Sequence, residues 1–174
     1  MTYTPPQPTN LNAAQSVHFK FQIKRSPEIE YFVQKATIPG LAIGYSYVPT
    51  PLIDIPNPGE HLEFSELDVV FRVDEDLAGY LTIQDWLRGL GAPDNYTQYA
   101  NIEAKPLWSG EGIYSDLSLT ITTAKQNAAF ECVYEDAFPI GLSSLEFDAT
   151  QPDLTYLKAA ARFKYRVYHI NPIV

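Results

Sequence analysis

The segment from Phe71 to Pro93 reads FRVDEDLAGYLTIQDWLRGLGAP and joins an alternating, strand-like run to a short amphipathic pattern. An acidic triplet ending in Asp76 suits the positive end of a helix dipole, and Asp76 is the predicted N-cap. Apolar residues then recur at helical spacing, namely Tyr80, Ile83, Trp86, Leu87 and Leu90. Gly89 or Gly91 can form a left-handed C-terminal cap, and the final proline prevents continuation. The segment therefore predicts a strand followed by one helix over residues 77–90.

Short alternating runs dominate the remainder of the chain. SVHFKFQIK at 16–24 and SELDVVFRV at 65–73 alternate apolar and polar residues, as half-buried strands do. Residues 113–141 resemble a β-hairpin, and the closing run LKAAARFKYRVYHI places Ala159, Ala161, Phe163, Tyr165 and Val167 on one face. The sequence predicts a mainly β fold, an antiparallel β-barrel or sandwich of about seven or eight strands with one flanking α-helix.

Three further segments carry less regular patterns. RSPE at 25–28 is predicted to turn the first strand into a second, IEYFVQKATIP, so that the two form a hairpin. Residues 94–112 are polar and irregular, which predicts a long loop. SSLEF at 143–147 predicts a short strand.

Length and composition favour a single domain. The chain has 174 residues, and 45% of them are hydrophobic, which is enough to build one core. Residues 1–16 contain three prolines and few large apolar groups, so we expect an extended N-terminal arm followed by one β domain over 17–170. No internal repeat divides that domain.

Several functional classes are disfavoured by composition. The single cysteine, Cys132, allows no intrachain disulfide, and no apolar run approaches the roughly 20 residues that span a bilayer. The N-terminus lacks a signal-peptide pattern, so we expect folding in a cytoplasm and no membrane partner. The formal net charge of −9 argues against a basic nucleic-acid-binding patch.

The sequence carries no clear catalytic or cofactor motif. Its three histidines do not lie at metal-ligand spacing, and the acids at 74–76 are explained by helix capping as well as by a cation site. Glycine-rich phosphate loops and nucleophile elbows are missing. We therefore predict no enzyme, no cofactor and no metal, against the alternative of a small hydrolase that uses His61 and nearby acids.

Two segments are candidate contacts between subunits. TPLIDIPNPGEHLEF at 50–64 is too rich in proline for a central strand and too apolar for a plain solvated loop, so it is predicted to dock outside its own domain or to fold over its own core. The first set of candidates comes from this loop: Pro51, Leu52, Ile53, Asp54, Ile55 and Pro56. The second set is a basic strip along the last strand: Lys158, Arg162, Lys164 and Arg166. Acids cluster at 54–76, so the strip either meets the acids of a sister copy, pairs within one fold or is solvated.

Three segments in order resemble the tail-tube family of contractile-tailed bacteriophages. They are FVQKATIPGLAIGY at 32–45, SELDVVFRVDEDLAGYLTIQDWLRGLGAP at 65–93 and FPIGLSSLEFDATQPDLTYLKAAARFKYRVY at 138–168. The acidic turn followed by the Gln84-Asp85-Trp86 helix is the best part of the match. The last two segments are also similar to the tube-like domain of the baseplate protein on which such a tube starts.

The resemblance implies a structural role in a virion tail. In that family six copies join their sheets into a ring, and rings stack around a channel for genomic DNA that passes without specific binding. The implied partners are sister copies and the tail sheath, baseplate or neck proteins, after assembly in the host cytoplasm. A tube initiator or a tail-completion ring is an alternative within the family. Outside it, a monomeric β-sandwich binding module would use Tyr96, Tyr99 and Trp108 as a stacking platform.

Overall fold

A computed structural model describes residues 16–106, 110–123, 125–148, 150 and 156–173. These residues form nine strands, two α-helices and one 3-10 helix. The strands are β1 (Phe19–Ile23), β2 (Val33–Ala36), β3 (Leu41–Pro49), β4 (Asp54–Phe64), β5 (Leu67–Arg72), β6 (Ser115–Thr122), β7 (Ala128–Leu142), β8 (Lys158–Lys164) and β9 (Val167–Pro172). The helices are α1 (Ala78–Gly91), α2 (Tyr96–Glu103) and the 3-10 helix Pro27–Phe32. The predicted arm, apart from Ser16, lies outside the described residues, as does Trp108.

Seven strands form one antiparallel sheet in the order β1-β6-β7-β8-β5-β2, with β9 also paired to β7. The first part of β7 pairs with β6 and β9, whereas its last part pairs with β8. Asp136, at the change of partners, has a positive φ of 52°, and a residue of this kind bends a bulged strand. The sheet therefore folds into two layers that share β7. Sheet 1 contains β1, β6, the first part of β7 and β9; sheet 2 contains the last part of β7, β8, β5 and β2.

The core lies between the two layers. Alternate residues of every main strand point inward, so Phe21 and Leu119 of sheet 1 share one buried cluster with Val69 and Phe71 of sheet 2. The predicted inward face of the closing run is confirmed for Ala159, Ala161, Phe163 and Tyr165, which are all buried. It is wrong for Val167, which is half-buried opposite Glu135, because the run bends between β8 and β9.

Helix α1 packs against this core, as its apolar stripe predicts. Trp86 is 1% exposed, its ring lies 6.3 Å from that of Phe163, and its indole Nε1–H donates to the Ile113 carbonyl oxygen at 3.1 Å. The helix bounds agree with prediction to within one residue, but the caps do not. Leu77 and Ala92 hold the two cap positions, both with positive φ, in place of Asp76 and a glycine.

The predicted irregular loop 94–112 is corrected by helix α2. Asn95 caps this helix, since its Oδ1 accepts a hydrogen bond from the Thr97 N–H at 3.0 Å. Among its residues only Ile102 is buried, so no apolar stripe marks the helix in the sequence. Gly89 of α1 faces Ile102 so closely that a Cβ at Gly89 would lie 1.9 Å from Ile102 Cδ1. This close approach leaves no room for a side chain at position 89, which accounts for a glycine inside α1.

Three strand predictions are also wrong. The predicted first hairpin does not form, because the 3-10 helix intervenes and β2 pairs with β5. Residues 143–148 form no strand, and the closing run divides into β8 and β9 where it passes from one layer to the other. Of the two predicted architectures, barrel and sandwich, the barrel is excluded. In the described part of the chain β1 and β2, at the two ends of the strand order, do not pair, so the sheet is an open sandwich.

Candidate assembly surface

A separate β-hairpin formed by β3 and β4 projects from the sandwich. Its two strands pair with each other along almost their full length, and in the described residues neither strand joins the main sheet. Every residue of β3 is exposed, and so are nine of the eleven residues of β4. This hairpin, Leu41–Phe64, covers no part of its own core beyond its base.

One face of the hairpin is apolar. The register places Leu41 opposite Phe64, Ile43 opposite Leu62, Tyr45 opposite Pro58 and Tyr47 opposite Pro56, so these side chains share a face. The rings of Tyr45 and Tyr47 pack edge to face at 5.3 Å. Ala42, Ser46, Asn57 and Glu63 share the opposite face, which carries the apolar pair Val48 and Ile55 only near the turn. We call the first set the hairpin apolar face; a soluble chain seldom leaves such a contiguous surface without a partner.

The prolines that predicted a loop lie instead in an edge strand. Pro56 and Pro58 keep their places in the ladder with β3, so the N–H groups that they lack belong to the outer edge of β4. The expectation of a loop at 50–64 is therefore wrong, whereas the exclusion of a central strand is right. Near the middle, Gly59 approaches Gly44 so closely that a Cβ would lie 2.6 Å from the Gly44 carbonyl oxygen. This contact lies where the register shifts.

The base of the hairpin is held by aromatic side chains from the end of β8 and from β9. The Phe64 ring packs edge to face on the rings of Tyr165 and Tyr168, at 5.9 and 5.8 Å. The Tyr165 hydroxyl donates to the Ser65 carbonyl oxygen, and the Tyr168 hydroxyl donates to the Pro39 carbonyl oxygen. Both strands of the hairpin are thus anchored where they leave the sandwich.

The loop candidates lie at the far end of the hairpin. Pro51, Leu52 and Ile53 form the turn, closed by a hydrogen bond from the Thr50 hydroxyl to the Ile53 carbonyl oxygen. Asp54, Ile55 and Pro56 begin β4. Leu52 is 94% exposed and Ile53 66% exposed, so the turn carries apolar side chains far from the core.

The basic strip is largely engaged within its own chain. Arg162 lies 3.5 Å from Glu66, and Lys164 Nζ donates to the Phe64 carbonyl oxygen at 3.1 Å. Arg166 contacts Glu135 at 2.6 Å and Asp136 at 2.7 Å, which ties the β8–β9 bend to the bend in β7. Lys158 is exposed. These pairs agree with the alternative in which the basic strip pairs within its own fold. Contact of the strip with a sister copy stays a prediction.

The residues considered for catalysis or metal binding do not come together as a site in the described part of the chain. His61 lies on the exposed strand β4, and in the described ranges no cluster of three or more histidine, cysteine, aspartate or glutamate residues is placed to hold a metal. Asp74 stabilises the start of α1, its Oδ2 accepting from the Ala78 N–H at 3.1 Å. Burial raises the pKa of the Cys132 thiol, which is the opposite of what a nucleophilic thiolate requires. None of the described helices is both long and apolar enough to cross a bilayer.

The predicted stacking platform is only partly described. Tyr96 and Tyr99 lie on α2 with ring centroids 6.2 Å apart and a tilt of 54° between the rings. Tyr96 is 82% exposed. Two tilted rings do not form the flat surface on which a sugar ring stacks.

No family model matches the chain, and no curated protein matches it. Several solved structures do match the chain. A chain of the anti-feeding prophage baseplate, symmetrised 6-fold, matches with a TM-score of 0.64 and 13% identity, over 93% of this chain and 97% of that one. A chain of the anti-feeding prophage tube-terminating cap matches with a TM-score of 0.61 and 14% identity, over 99% and 100% of the two chains.

A third match comes from the sheath–tube complex of an extracellular contractile injection system, PVC, in its extended state. The TM-score is 0.60 and the identity 12%, with 94% of each chain covered. Identities this low concern the fold alone. The fold that the tail-tube resemblance implied is therefore confirmed, and this chain has the fold found in these baseplate, cap and sheath–tube assemblies.

Proposed function

We propose that this protein is a structural subunit of a tube-like ring in a contractile tail or injection system, built from sister copies of the chain. The observation that carries the proposal is the hairpin apolar face. Eight side chains from β3 and β4 form it; Phe64 packs on the sandwich at the base, and the other seven project away from it. A sister copy in a head-to-tail ring offers a surface that can cover the same hairpin in every subunit.

The fold likeness supports the same conclusion. The matched chains come from baseplate, cap and sheath–tube complexes, all of which are structural assemblies. A ring of six copies agrees with the 6-fold symmetry of the matched baseplate. In such a particle the partners are sister rings, the sheath and the baseplate or neck, and the location is the tail.

The channel of the ring is proposed to let genomic DNA pass without holding it, as in a phage tail. The formal net charge of −9 supports this, because a chain with few bases does not exchange DNA counterions for tight contacts. Measured affinity for duplex DNA checks the idea, and binding that strengthens at low salt would contradict it.

A terminal ring is the second candidate. The TM-scores against the baseplate and cap chains, 0.64 and 0.61, are as high as the 0.60 against the sheath–tube chain. Electron microscopy of native particles with labelled subunits separates the candidates. Label along the whole tube indicates a main tube protein, and label at one end indicates a terminal ring.

The assembly itself is tested with a matched pair of variants on β3. Tyr47→Lys places a charge on the hairpin apolar face, whereas Ser46→Lys places the same charge on the opposite face. We expect rings from the wild type and from Ser46→Lys, and monomers from Tyr47→Lys, in sedimentation velocity and negative-stain images. Because some tube subunits assemble only on a nucleus, the assay includes tail particles as seeds. A chain that stays monomeric with seeds would contradict the proposal.

A further inference from the structure

We propose that the β3–β4 hairpin is jointed, with a tip half that swings about a pivot at Gly44 and Gly59 while the base half stays fixed to the sandwich. The base half is Leu41–Ile43 paired with Leu62–Phe64, and the tip half is Tyr45–Pro58. The pivot is a property of the single chain and goes beyond the proposed function. Its use in a ring rests on that function.

The ladder between β3 and β4 is interrupted at one place. Ile43 pairs with Leu62 and Tyr45 pairs with Pro58, so a single residue of β3 stands opposite residues 59–61 of β4. Two residues of β4 are therefore in excess, and they form a bulge. A bulge disrupts the run of cross-strand hydrogen bonds and bends the strand that carries it. The hairpin is thus two regular ladders joined at an irregular point.

The excess of two residues keeps the same face apolar on both sides of the bulge. Because side chains alternate with a period of two, a shift of one residue would turn the tip half over, whereas a shift of two does not. Ile43 on one side of the bulge and Tyr45 on the other therefore both lie on the hairpin apolar face. The bulge changes the direction of the hairpin without changing the face that it presents.

The base half is fixed to the sandwich. The Phe64 ring packs edge to face on the rings of Tyr165 and Tyr168. Where the two strands leave the sandwich, the Ser65 N–H donates to the Gly40 carbonyl oxygen at 3.1 Å, which joins them at their roots. These contacts hold both strands of the base half, so it moves with the domain.

The tip half is stiff in itself. Five consecutive cross-strand pairs run from the bulge to the turn. Pro49, Pro56 and Pro58 lie in this ladder, and the proline ring fixes φ at each of these positions. In the turn, the Ile53 N–H donates to the Thr50 hydroxyl oxygen at 3.3 Å. The tip half therefore moves as one piece.

The tip half stands clear of the described sandwich. Apart from Thr50, every residue from Tyr45 to Pro58 is exposed. Space is also free beside the pivot, since no atom from elsewhere in the described chain lies within 4 Å of the position that a Cβ of Gly44 would take. A segment with so little buried surface has few contacts that resist a change in its direction.

Gly44 and Gly59 meet at the bulge in direct main-chain contact. A Cβ at Gly59 would lie 2.6 Å from the Gly44 carbonyl oxygen and 3.2 Å from the Gly44 Cα. Without side chains, the two strands can turn about this point of contact. Residues 59–61, which have no cross-strand partner in the described ladder, absorb the changes in φ and ψ that such a hinge requires.

A small rotation at the pivot gives a large displacement at the turn. Asp54 precedes Gly59 by five residues on β4. Five residues of strand span about 17 Å, so a swing of about 20° displaces Asp54 by about 6 Å. Glu63 lies on the same strand in the base half and stays in place. These two exposed acidic residues therefore report separately on the tip half and on the base half.

Pulsed EPR distances on the isolated chain test the pivot. A nitroxide on Asp54→Cys or on Glu63→Cys is combined with one on Lys158→Cys in sheet 2 or Asp116→Cys in sheet 1, so that a swing in either direction is recorded. The native Cys132 is buried and does not take up the label. In at least one combination, the tip label should give a distance distribution wider than the base label by about 6 Å. Equal widths in both combinations would show a rigid hairpin and overturn the proposal.

Changes at the bulge itself provide a second test. Deletion of Glu60 and His61 makes the ladder continuous, with Gly44 opposite Gly59 alone, and should narrow the tip distribution to the width of the base distribution. Gly59→Ala should shift the mean tip distance, because its methyl group overlaps the Gly44 carbonyl oxygen. Gly44→Ala, the same change in open space, is the matched control and should leave the mean unchanged. A tip distribution that stays wide after the deletion would place the motion elsewhere and contradict the pivot.

Assembled protein tests whether the pivot is used in a ring. The chain labelled at Asp54→Cys and Lys158→Cys is diluted into unlabelled wild type and assembled on seeds, where a partner should hold the tip half in one direction. We expect a single distance as narrow as that of the base label. A distribution as wide as in the isolated chain would defeat this use of the pivot. A chain that forms no rings even on seeds defeats the proposed function, whereas the measurements on the isolated chain still decide the pivot.

Discussion

The Tyr165 hydroxyl donates a hydrogen bond to the Ser65 carbonyl oxygen at 2.9 Å, across 100 residues of sequence. Ser65 follows the last residue of the hairpin, and Tyr165 follows the last residue of β8. The bond therefore ties a projecting element to the centre of the sandwich. A hairpin that must meet another molecule benefits from a fixed exit direction, because less freedom is then lost on association.

Removal of the two tyrosine hydroxyls should loosen the hairpin without unfolding the domain. We expect Tyr165→Phe and Tyr168→Phe each to lower the free energy of unfolding by about 1 kcal/mol, the net contribution of one hydrogen bond. Hydrogen exchange should become faster at Leu41 and Phe64 in the double variant. Tyr96→Phe, at an exposed position, serves as the control and should change neither quantity.

High pH should weaken the same anchor. Burial, with a smaller contribution from Tyr168, raises the pKa of Tyr165 to about 12, whereas an unfolded tyrosine titrates near 10. The folded state thus favours the neutral phenol, and the stability gained from this preference is fully present below pH 10. It is lost as the pH rises from about 10 toward 12. Urea unfolding at pH 9 and pH 11 should show a smaller loss of stability for Tyr165→Phe than for the wild type; equal losses would contradict the assignment.

Two glycines of α1 should respond in opposite directions to alanine. Gly91 has open space around it, so Gly91→Ala should raise the free energy of unfolding by about 0.5–1 kcal/mol. Gly89→Ala should lower it, because the new methyl group would overlap Ile102 Cδ1. Ile102→Val removes that carbon, so the free energy of unfolding of the double variant should fall by less than the sum of the two single decreases. Additive changes in the free energy of unfolding would show that Gly89 and Ile102 are not in close contact.

Trp86 should be the most sensitive position of α1. Trp86→Ala should lower the free energy of unfolding by about 3–5 kcal/mol, because it leaves a cavity and an unpaired carbonyl group at Ile113. Leu81→Ala, in the same helix and 43% exposed, provides the comparison and should lower the free energy of unfolding much less. Denaturant midpoints at an unchanged m-value measure both effects.

Arg166 should matter little to the stability of the isolated chain. Its two ion pairs lie at the surface, with 65% of the side chain exposed, so Arg166→Gln should lower the free energy of unfolding by less than about 1 kcal/mol. Added salt should reduce the difference further. A larger, salt-insensitive loss would indicate that the bend in β7 depends on this side chain.

Local sequence determined much of this protein. Alternation located the inward residues of β1, β5 and β8, and helical spacing located α1 with Trp86 at its centre, because side-chain direction follows the backbone period. The order of three segments also identified the fold that the solved structures share. The proline-rich segment was correctly excluded from the centre of a sheet, since proline has no N–H to donate.

Tertiary structure decided the rest, because the deciding contacts join residues far apart in sequence. Helix α2 is held by one buried isoleucine against Gly89, and such a contact leaves no periodic signal. Pro56 and Pro58 lie in a strand only because β3 pairs along the side where no proline N–H is needed. The partners of Arg162, Lys164 and Arg166 depend on how β7 and β8 bend between layers. Composition shows that bases and acids are present, but only the folded backbone sets which of them lie within a few ångströms of each other.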